Sequence, residues 1–201
     1  MPEGCVAARE SSWATWQART SLRPLGRPTG EQRIQAMLSE AALRGIDREV
    51  AKYPPDQKQS AVMSALAIAQ DEKGWLAPET MDFVASYLGM PPVAVYEVAS
   101  FYEMYNREPS GRYKITICTN LPCALSDAVK ASEYLKAKLG IGFGETTADG
   151  LFTLKEGECF GACGDAPVLL VNNKRMCGRM GLEKLDTMLA ELRAEAAKGD
   201  R

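Results

Sequence analysis

Apolar residues recur at a helical period through the first half of the chain, which predicts four short helices. The first ends before Pro54-Pro55, and the second covers 57–72. The third begins at Pro78 and ends before Gly89, because proline suits a first helical turn and glycine suits a helix end. The fourth begins at Pro91-Pro92. The positions predicted to face inward are Leu38, Ala42, Ile46, Val50, Ala61, Val62, Ala65, Leu66, Ala69, Met81, Val84, Ala85, Leu88, Val95, Val98, Ala99 and Tyr102.

After Gly111 the apolar period changes from helical to strand-like. Tyr113, Ile115 and Ile117 alternate with polar residues, which predicts a strand that runs into Cys118. The remaining predicted elements are a helix over 125–139 carrying Val129, Leu135 and Leu139, a strand over 152–156, a hairpin of 168–171 and 174–177 around Asn172-Asn173, and a helix over 182–196. This order fits a small sheet covered by helices, as in a thioredoxin-like sandwich.

The change of period divides the chain, and the fold class expected is α+β. Residues 37–110 are predicted to form a small helical bundle, and residues 111–201 a thioredoxin-like α/β domain. Residues 1–36 combine scattered Arg, Ser, Pro and Gly with no sustained apolar period, so we expect a disordered extension. We also expect Met37, rather than Met1, to be the true start of the protein.

Composition excludes several classes of function. The chain of 201 residues contains no histidine, which excludes Ser-His and Cys-His nucleophiles, Rieske centres and zinc fingers with histidine ligands. The formal net charge of -2 gives no sign of the basic surface that nucleic acids require. No apolar run approaches the roughly 20 residues that span a bilayer, so we expect no direct membrane insertion.

Four of the six cysteines form two close pairs, each after a predicted strand. Cys118 and Cys123 are separated by four residues, and Cys159 and Cys163 by three. Two pairs of thiolates are what a 2Fe-2S cluster requires, two on each iron. A structural zinc site with four cysteines fits the spacing as well, in which case the chain is a structural adaptor. Disulfides or ordinary buried thiols are the weaker alternatives.

The other two cysteines are left out of the site. Cys5 lies in the extension, and Cys177 is interpreted as a small buried residue at a strand end. Close to the four proposed ligands, we expect backbone amides near Gly161 and Gly164 to donate hydrogen bonds to the sulfurs. Side chains of Thr119 and Asn120 are hypothesised as further donors.

Several segments together resemble the thioredoxin-like 2Fe-2S ferredoxin subunit of bacterial NADH:quinone oxidoreductase, which is respiratory complex I. The resemblance covers about 37–197. The segments are Gly74-Trp-Leu-Ala-Pro78, Val98-Ala-Ser-Phe-Tyr102, Ile117-Cys-Thr-Asn-Leu-Pro-Cys123, Gly144-Glu-Thr-Thr147 and Glu158-Cys-Phe-Gly-Ala-Cys-Gly-Asp-Ala-Pro167. The chain departs from this family chiefly in its additional N-terminal residues.

The resemblance implies that Cys118, Cys123, Cys159 and Cys163 ligate one 2Fe-2S cluster and that the chain is an electron-transfer subunit of an NADH dehydrogenase. It implies FMN and NADH on a flavin-bearing partner subunit, further hydrophilic partner subunits, and a peripheral place on the cytoplasmic face of the inner membrane through the complex. No catalytic residue is expected in this chain. NAD-dependent formate dehydrogenases and hydrogenases contain similar chains, so they remain alternative assemblies.

Overall fold

The computed structural model describes residues 37–199, in which a group of helices precedes a mixed sheet with further helices. The helices are α1 Glu40–Val50, α2 Val62–Lys73, α3 Pro78–Leu88, α4 Pro92–Phe101, α5 Leu121–Ala124, α6 Ala128–Leu139 and α7 Leu182–Ala197. The strands are β1 Tyr113–Cys118, β2 Phe152–Gly157, β3 Leu169–Val171 and β4 Arg175–Cys177, with 3-10 turns at Lys58–Ala61 and Cys163–Asp165. The extension predicted for residues 1–36 lies outside the described residues.

Helices α1 to α4 pack around one apolar core. Ile46, Leu66 and Val84 are fully buried in it, and the Tyr105 hydroxyl donates a hydrogen bond to the Met63 carbonyl at 2.8 Å. The predicted helix ends are confirmed where proline and glycine mark them, most clearly in α3, which is followed by Gly89 in the left-handed conformation.

The prediction that Tyr102 faces inward is wrong, because its side chain is 39% exposed. Helix α4 ends at Phe101, and Tyr102 already has an extended backbone. Its side chain therefore no longer follows the helical period that placed it on the inner face.

The sheet has four strands in the order β2-β1-β3-β4. Strands β1 and β2 are parallel, and the other two pairs are antiparallel. The predicted hairpin between β3 and β4 is confirmed, with positive φ angles of 52° at Asn172 and 57° at Asn173. Asparagine tolerates this conformation at modest cost, which favours a tight two-residue turn here. The carboxyl ends of β1 and β2 therefore lie side by side, paired as far as Cys118 and Gly157.

Strand β1 is buried on both faces, although its sequence alternates between apolar and polar residues. The Ile115 face packs against the core below α6 and α7. The opposite face carries Lys114, which is only 3% exposed. Its ammonium donates to Asn106 Oδ1 at 2.7 Å and to the Met104 carbonyl at 3.3 Å. The segment after α4 thus covers the polar face of the strand and provides hydrogen-bond acceptors for the buried lysine.

The Met104 carbonyl is a meeting point of the helical part and the sheet. Gln70 Nε2 on α2 donates to it at 3.0 Å, and Asn173 Nδ2 in the hairpin donates to it at 2.8 Å. Close by, Lys174 forms an exposed ion pair with Asp71 at 2.9 Å. These contacts join residues that are far apart in the sequence, so they fix the helical part against one edge of the sheet.

The helix predicted over 125–139 begins later than expected. The chain first forms the short helix α5, and Asp127 then adopts a positive φ of 66° before α6 begins. This break changes the rotation of the later residues, and Val129 is 54% exposed instead of buried. The predicted apolar positions Leu135 and Leu139 do contribute to the core.

Helix α7 is the longest helix in the described residues, with 16 residues. Leu185, Leu189 and Leu192 on its inner face are buried against the sheet. About 20 apolar residues are needed for a helix to cross a bilayer. None of the helices between residues 37 and 199 combines that length with that composition.

Candidate metal centre

The first cysteine pair is buried at the carboxyl end of β1. Cys118 is the last residue of the strand, and Cys123 lies in α5, the one-turn helix that begins after Asn120. Proline at position 122 suits the first turn of this helix because no intrahelical N–H is lost there. The turn brings Cys123 back toward Cys118 over only five residues, and both thiols are free.

The second cysteine pair is exposed on the loop that follows β2. Cys159 Sγ and Cys163 Sγ lie 3.9 Å apart, and both thiols are free. Gly161 between them has a φ of 73°, a conformation that other residues adopt at a cost. Its backbone N–H donates to Cys159 Sγ at 3.4 Å, which confirms the expected amide donor at this glycine. The loop therefore holds its two sulfurs on the same side of a tight turn.

The two pairs meet at one end of the sheet. Cys118 and Cys123 form a small apolar cluster with Ala128 and Val168, and Phe160 from the second loop packs against it. Ala162 and Ala166, also from the second loop, join the same cluster. The loop that carries the exposed pair thus covers the buried pair, as the placement of both pairs at strand ends predicts.

Two of the thiols have pKa values above the ordinary value for cysteine. Burial is the main cause at Cys123, where the hydrogen bond with Cys118 adds to the effect. At Cys163 the main cause is the hydrogen bond with Cys159, followed by the charge of the same neighbour. Without a metal these two thiols are protonated at neutral pH. Metal binding must therefore release protons, as is usual for thiolate ligands.

The donor set fits a cluster with two metal ions. Two thiolates bound at about 2.3 Å to one tetrahedral ion lie about 3.8 Å apart, and the second pair is close to this separation. In residues 37–199, no group of three or more cysteine or carboxylate side chains is gathered around a single point where one ion would bind. The sulfurs are arranged as two pairs, which is the distribution that a 2Fe-2S cluster requires.

The remaining cysteines do not join this group. Cys177 is the last residue of β4, half-buried, and packs against the core of the sheet, as its interpretation as a packing residue predicts. Cys5 lies outside the described residues. The candidate site therefore consists of the four cysteines in the two loops.

Two carboxylates beside the site were not anticipated from the sequence. The Thr119 hydroxyl donates to Glu156 Oε1 at 2.6 Å, and Asn120 Nδ2 donates to Glu158 Oε2 at 3.0 Å. These donors were hypothesised to point at the sulfurs, and in the structure they bind carboxylates instead. The signal in the sequence is the pair of polar residues directly after Cys118 and the two glutamates shortly before Cys159.

Gly157 lies where the two cysteine loops leave the sheet, and it has no space for a side chain. A Cβ atom there would lie 2.6 Å from Thr116 Cγ2 and 2.7 Å from Phe160 Cζ. We expect Gly157→Ala to lower the free energy of unfolding by about 1–3 kcal/mol through overpacking, measured by urea unfolding of the metal-free protein. Gly164→Ala is the matched control, since a Cβ there meets nothing within 4 Å. Equal stabilities of the two variants would contradict the prediction.

Comparisons with known proteins agree with this geometry. Residues 46–193 match the family described as thioredoxin-like 2Fe-2S ferredoxin. The chain is 40% identical over 149 residues to NADH-quinone oxidoreductase subunit 2 of Thermus thermophilus, covering 74% of this chain and 82% of the relative. It is 44% identical over 125 residues to the E-type subunit of the same enzyme from Rickettsia prowazekii, covering 62% and 71%. For an E-type subunit from Rhizobium meliloti the identity is 42% over 149 residues, covering 74% and 87%.

Among solved structures, the chain is similar to an NAD+-reducing NiFe hydrogenase in the air-oxidized state, with a TM-score of 0.58. The match covers 67% of this chain but only 23% of that longer chain, at 23% identity, so it shows the shared fold alone. The family match and the identities to the three relatives carry the assignment further. The chain belongs to the thioredoxin-like 2Fe-2S ferredoxin family and, within it, to the E-type subunits of NADH-quinone oxidoreductase.

Proposed function

We propose that this chain is the electron-transfer subunit of NADH-quinone oxidoreductase that holds one 2Fe-2S cluster, ligated by Cys118, Cys123, Cys159 and Cys163. The observation that carries the proposal is the meeting of the buried cysteine pair and the exposed pair at one end of the sheet. When bound, the cluster supplies one-electron chemistry, and the chain itself has no substrate site.

The residues around the cysteines divide the work of holding such a cluster. Cys118 and Cys123 contribute sulfurs from the apolar side of the site, and Cys159 and Cys163 contribute sulfurs from the solvent side. The Gly161 N–H donates to Cys159 Sγ and so favours the thiolate, because a hydrogen bond to the charged form stabilises it. Ligation by four thiolates makes the site strongly anionic, so such donors help to stabilise it.

The exposed position of the second pair supports electron exchange with a partner. We propose that this partner is the flavin-bearing, NADH-oxidising subunit, which holds FMN, and that other hydrophilic subunits complete the assembly. Leu121 and Leu125 beside the buried pair are 71% and 79% exposed, which is typical of a surface that another protein covers. On this proposal the chain lies on the cytoplasmic face of the inner membrane and is attached through the complex.

A structural zinc site is the second candidate, because the 3.9 Å between Cys159 Sγ and Cys163 Sγ fits tetrahedral zinc as well as iron. The test is the anaerobically purified full-length protein, examined for metal content, visible absorption and EPR signal after reduction with dithionite. We expect two iron atoms per molecule, charge-transfer absorption and an EPR signal from the reduced cluster. A colourless protein with one zinc ion per molecule would overturn the cluster assignment.

A further inference from the structure

Two side-chain hydrogen bonds connect the loops that carry the cysteines. Thr119, directly after Cys118, donates to Glu156 on β2 at 2.6 Å. Asn120 donates to Glu158, which directly precedes Cys159, at 3.0 Å. Each bond joins a residue next to one cysteine pair with a residue next to the other, across 37 or 38 positions of sequence.

The place of these bonds in the sheet gives them a purpose. The paired register of β1 and β2 ends at Cys118 and Gly157, and beyond this point both segments leave the sheet as loops. A loop without such support samples many conformations, and ordering it costs free energy. The side-chain bonds continue the connection between the two strands just where their paired register stops.

The two carboxylates also carry charge. None of the ion pairs in the described residues involves Glu156 or Glu158. Both side chains are exposed, so water and salt weaken their field, yet each lies within three residues of Cys159 along the sequence. A negative charge near a redox centre disfavours the addition of an electron.

We propose that Glu156 and Glu158 are positioning residues of the metal centre. Through Thr119 and Asn120 they hold the two cysteine loops at the separation that one cluster bridges, and their charge makes the reduction potential of the cluster more negative. This inference rests on the proposed function, since it takes the four cysteines as ligands of a 2Fe-2S cluster.

The positioning part is tested by the rate at which the purified full-length protein loses its cluster to an iron chelator. Thr119→Val and Glu156→Ala each remove one partner of the same hydrogen bond, so each is expected to accelerate cluster loss. The double variant should lose its cluster no faster than the faster single variant, because both remove the same interaction. Thr119→Ser retains the hydroxyl and should restore the slow rate. Thr187→Val on α7 is the matched control, since its hydroxyl donates within its own helix.

The charge part is tested by Glu156→Gln, which keeps an acceptor oxygen for Thr119 but removes the charge. We expect nearly unchanged cluster loss and a reduction potential shifted to more positive values, by an amount that decreases as salt is added. Glu133→Gln on α6, which removes an exposed carboxylate paired with Lys136, is the charge control and should leave the potential unchanged.

The outcomes separate this inference from the function on which it rests. A wild-type protein without a 2Fe-2S spectrum overturns the proposed function and the inference together. A normal wild-type cluster with equal rates of cluster loss in Thr119→Val and Thr187→Val overturns the positioning role alone. An unchanged potential in Glu156→Gln overturns the role of its charge.

Discussion

Replacement of Cys159 by serine is expected to reduce the amount of bound 2Fe-2S cluster by at least roughly tenfold, because losing a ligand is at least as damaging as losing a residue that supports a ligand. Cys159 is the sharper choice because its side chain is exposed. A serine there leaves no polar group buried in the protein, so the fold should be retained. The buried Cys118 is a less clean test, since a buried hydroxyl without a partner would itself lower stability.

Cys177→Ser is the matched control for this experiment, as it changes a cysteine of the same sheet that packs away from the site. The iron content, visible absorption and EPR signal of this variant should equal those of the wild type. Far-UV circular dichroism of both variants checks that the fold is intact. A full cluster in folded Cys159→Ser, or a lost cluster in Cys177→Ser, would show that the ligand set is wrong.

The stability of the wild type relative to Lys114→Met is expected to rise as the pH increases from 8 to 10. Burial of the Lys114 ammonium is the main reason that its pKa is lowered from 10.5 to about 8, with repulsion from Lys155 adding to the shift and Glu103 opposing it. Below pH 8 the lysine is protonated in both states, and the buried charge lowers stability by on the order of 3 kcal/mol.

Between pH 8 and about 10.5 the unfolded protein binds more protons at this lysine than the folded protein does, so stability rises with pH by up to about 1.4 kcal/mol per pH unit. Lys114→Met keeps a long side chain without the charge. The difference in free energy of unfolding, wild type minus variant, should therefore grow by on the order of 2 kcal/mol between pH 8 and 10.

Urea unfolding of the metal-free proteins at several pH values measures this difference, and titration of the shared cysteines cancels in it. Lys174→Met is the control, because Lys174 is an exposed lysine paired with Asp71 and should show no such dependence. A difference for Lys114→Met that stays constant from pH 8 to 10 would mean that Lys114 keeps an ordinary pKa in the folded protein.

Local sequence was most informative where backbone chemistry acts locally. Pro78 and Gly89 mark the ends of α3 because one suits a first helical turn and the other a left-handed helix end. Asn172 and Asn173 predicted the hairpin because they tolerate positive φ. The strand pattern up to Cys118 predicted that the first cysteine pair begins at a strand end, and the resemblance to a family with the same spacing named the cluster.

Errors arose where the outcome depended on a break in the backbone or on what covers a surface. The period that placed Val129 in a core assumed one continuous helix, whereas Asp127 interrupts it. The alternation in β1 predicted an exposed polar face, and the segment after α4 covers that face instead. A periodic pattern reports which side of an element is apolar, but it does not report whether the other side meets water or another part of the protein.

By itself, the sequence determined the chemistry available to this protein: sulfur ligands in two pairs, no histidine, and helices followed by a sheet. Only the tertiary structure decided which residues support those ligands. The contacts of Thr119 with Glu156 and of Asn120 with Glu158 exist because the parallel pairing of β1 and β2 brings two distant segments to one edge. No local pattern encodes such a contact, since it follows from strand register and from the loops that leave the sheet together.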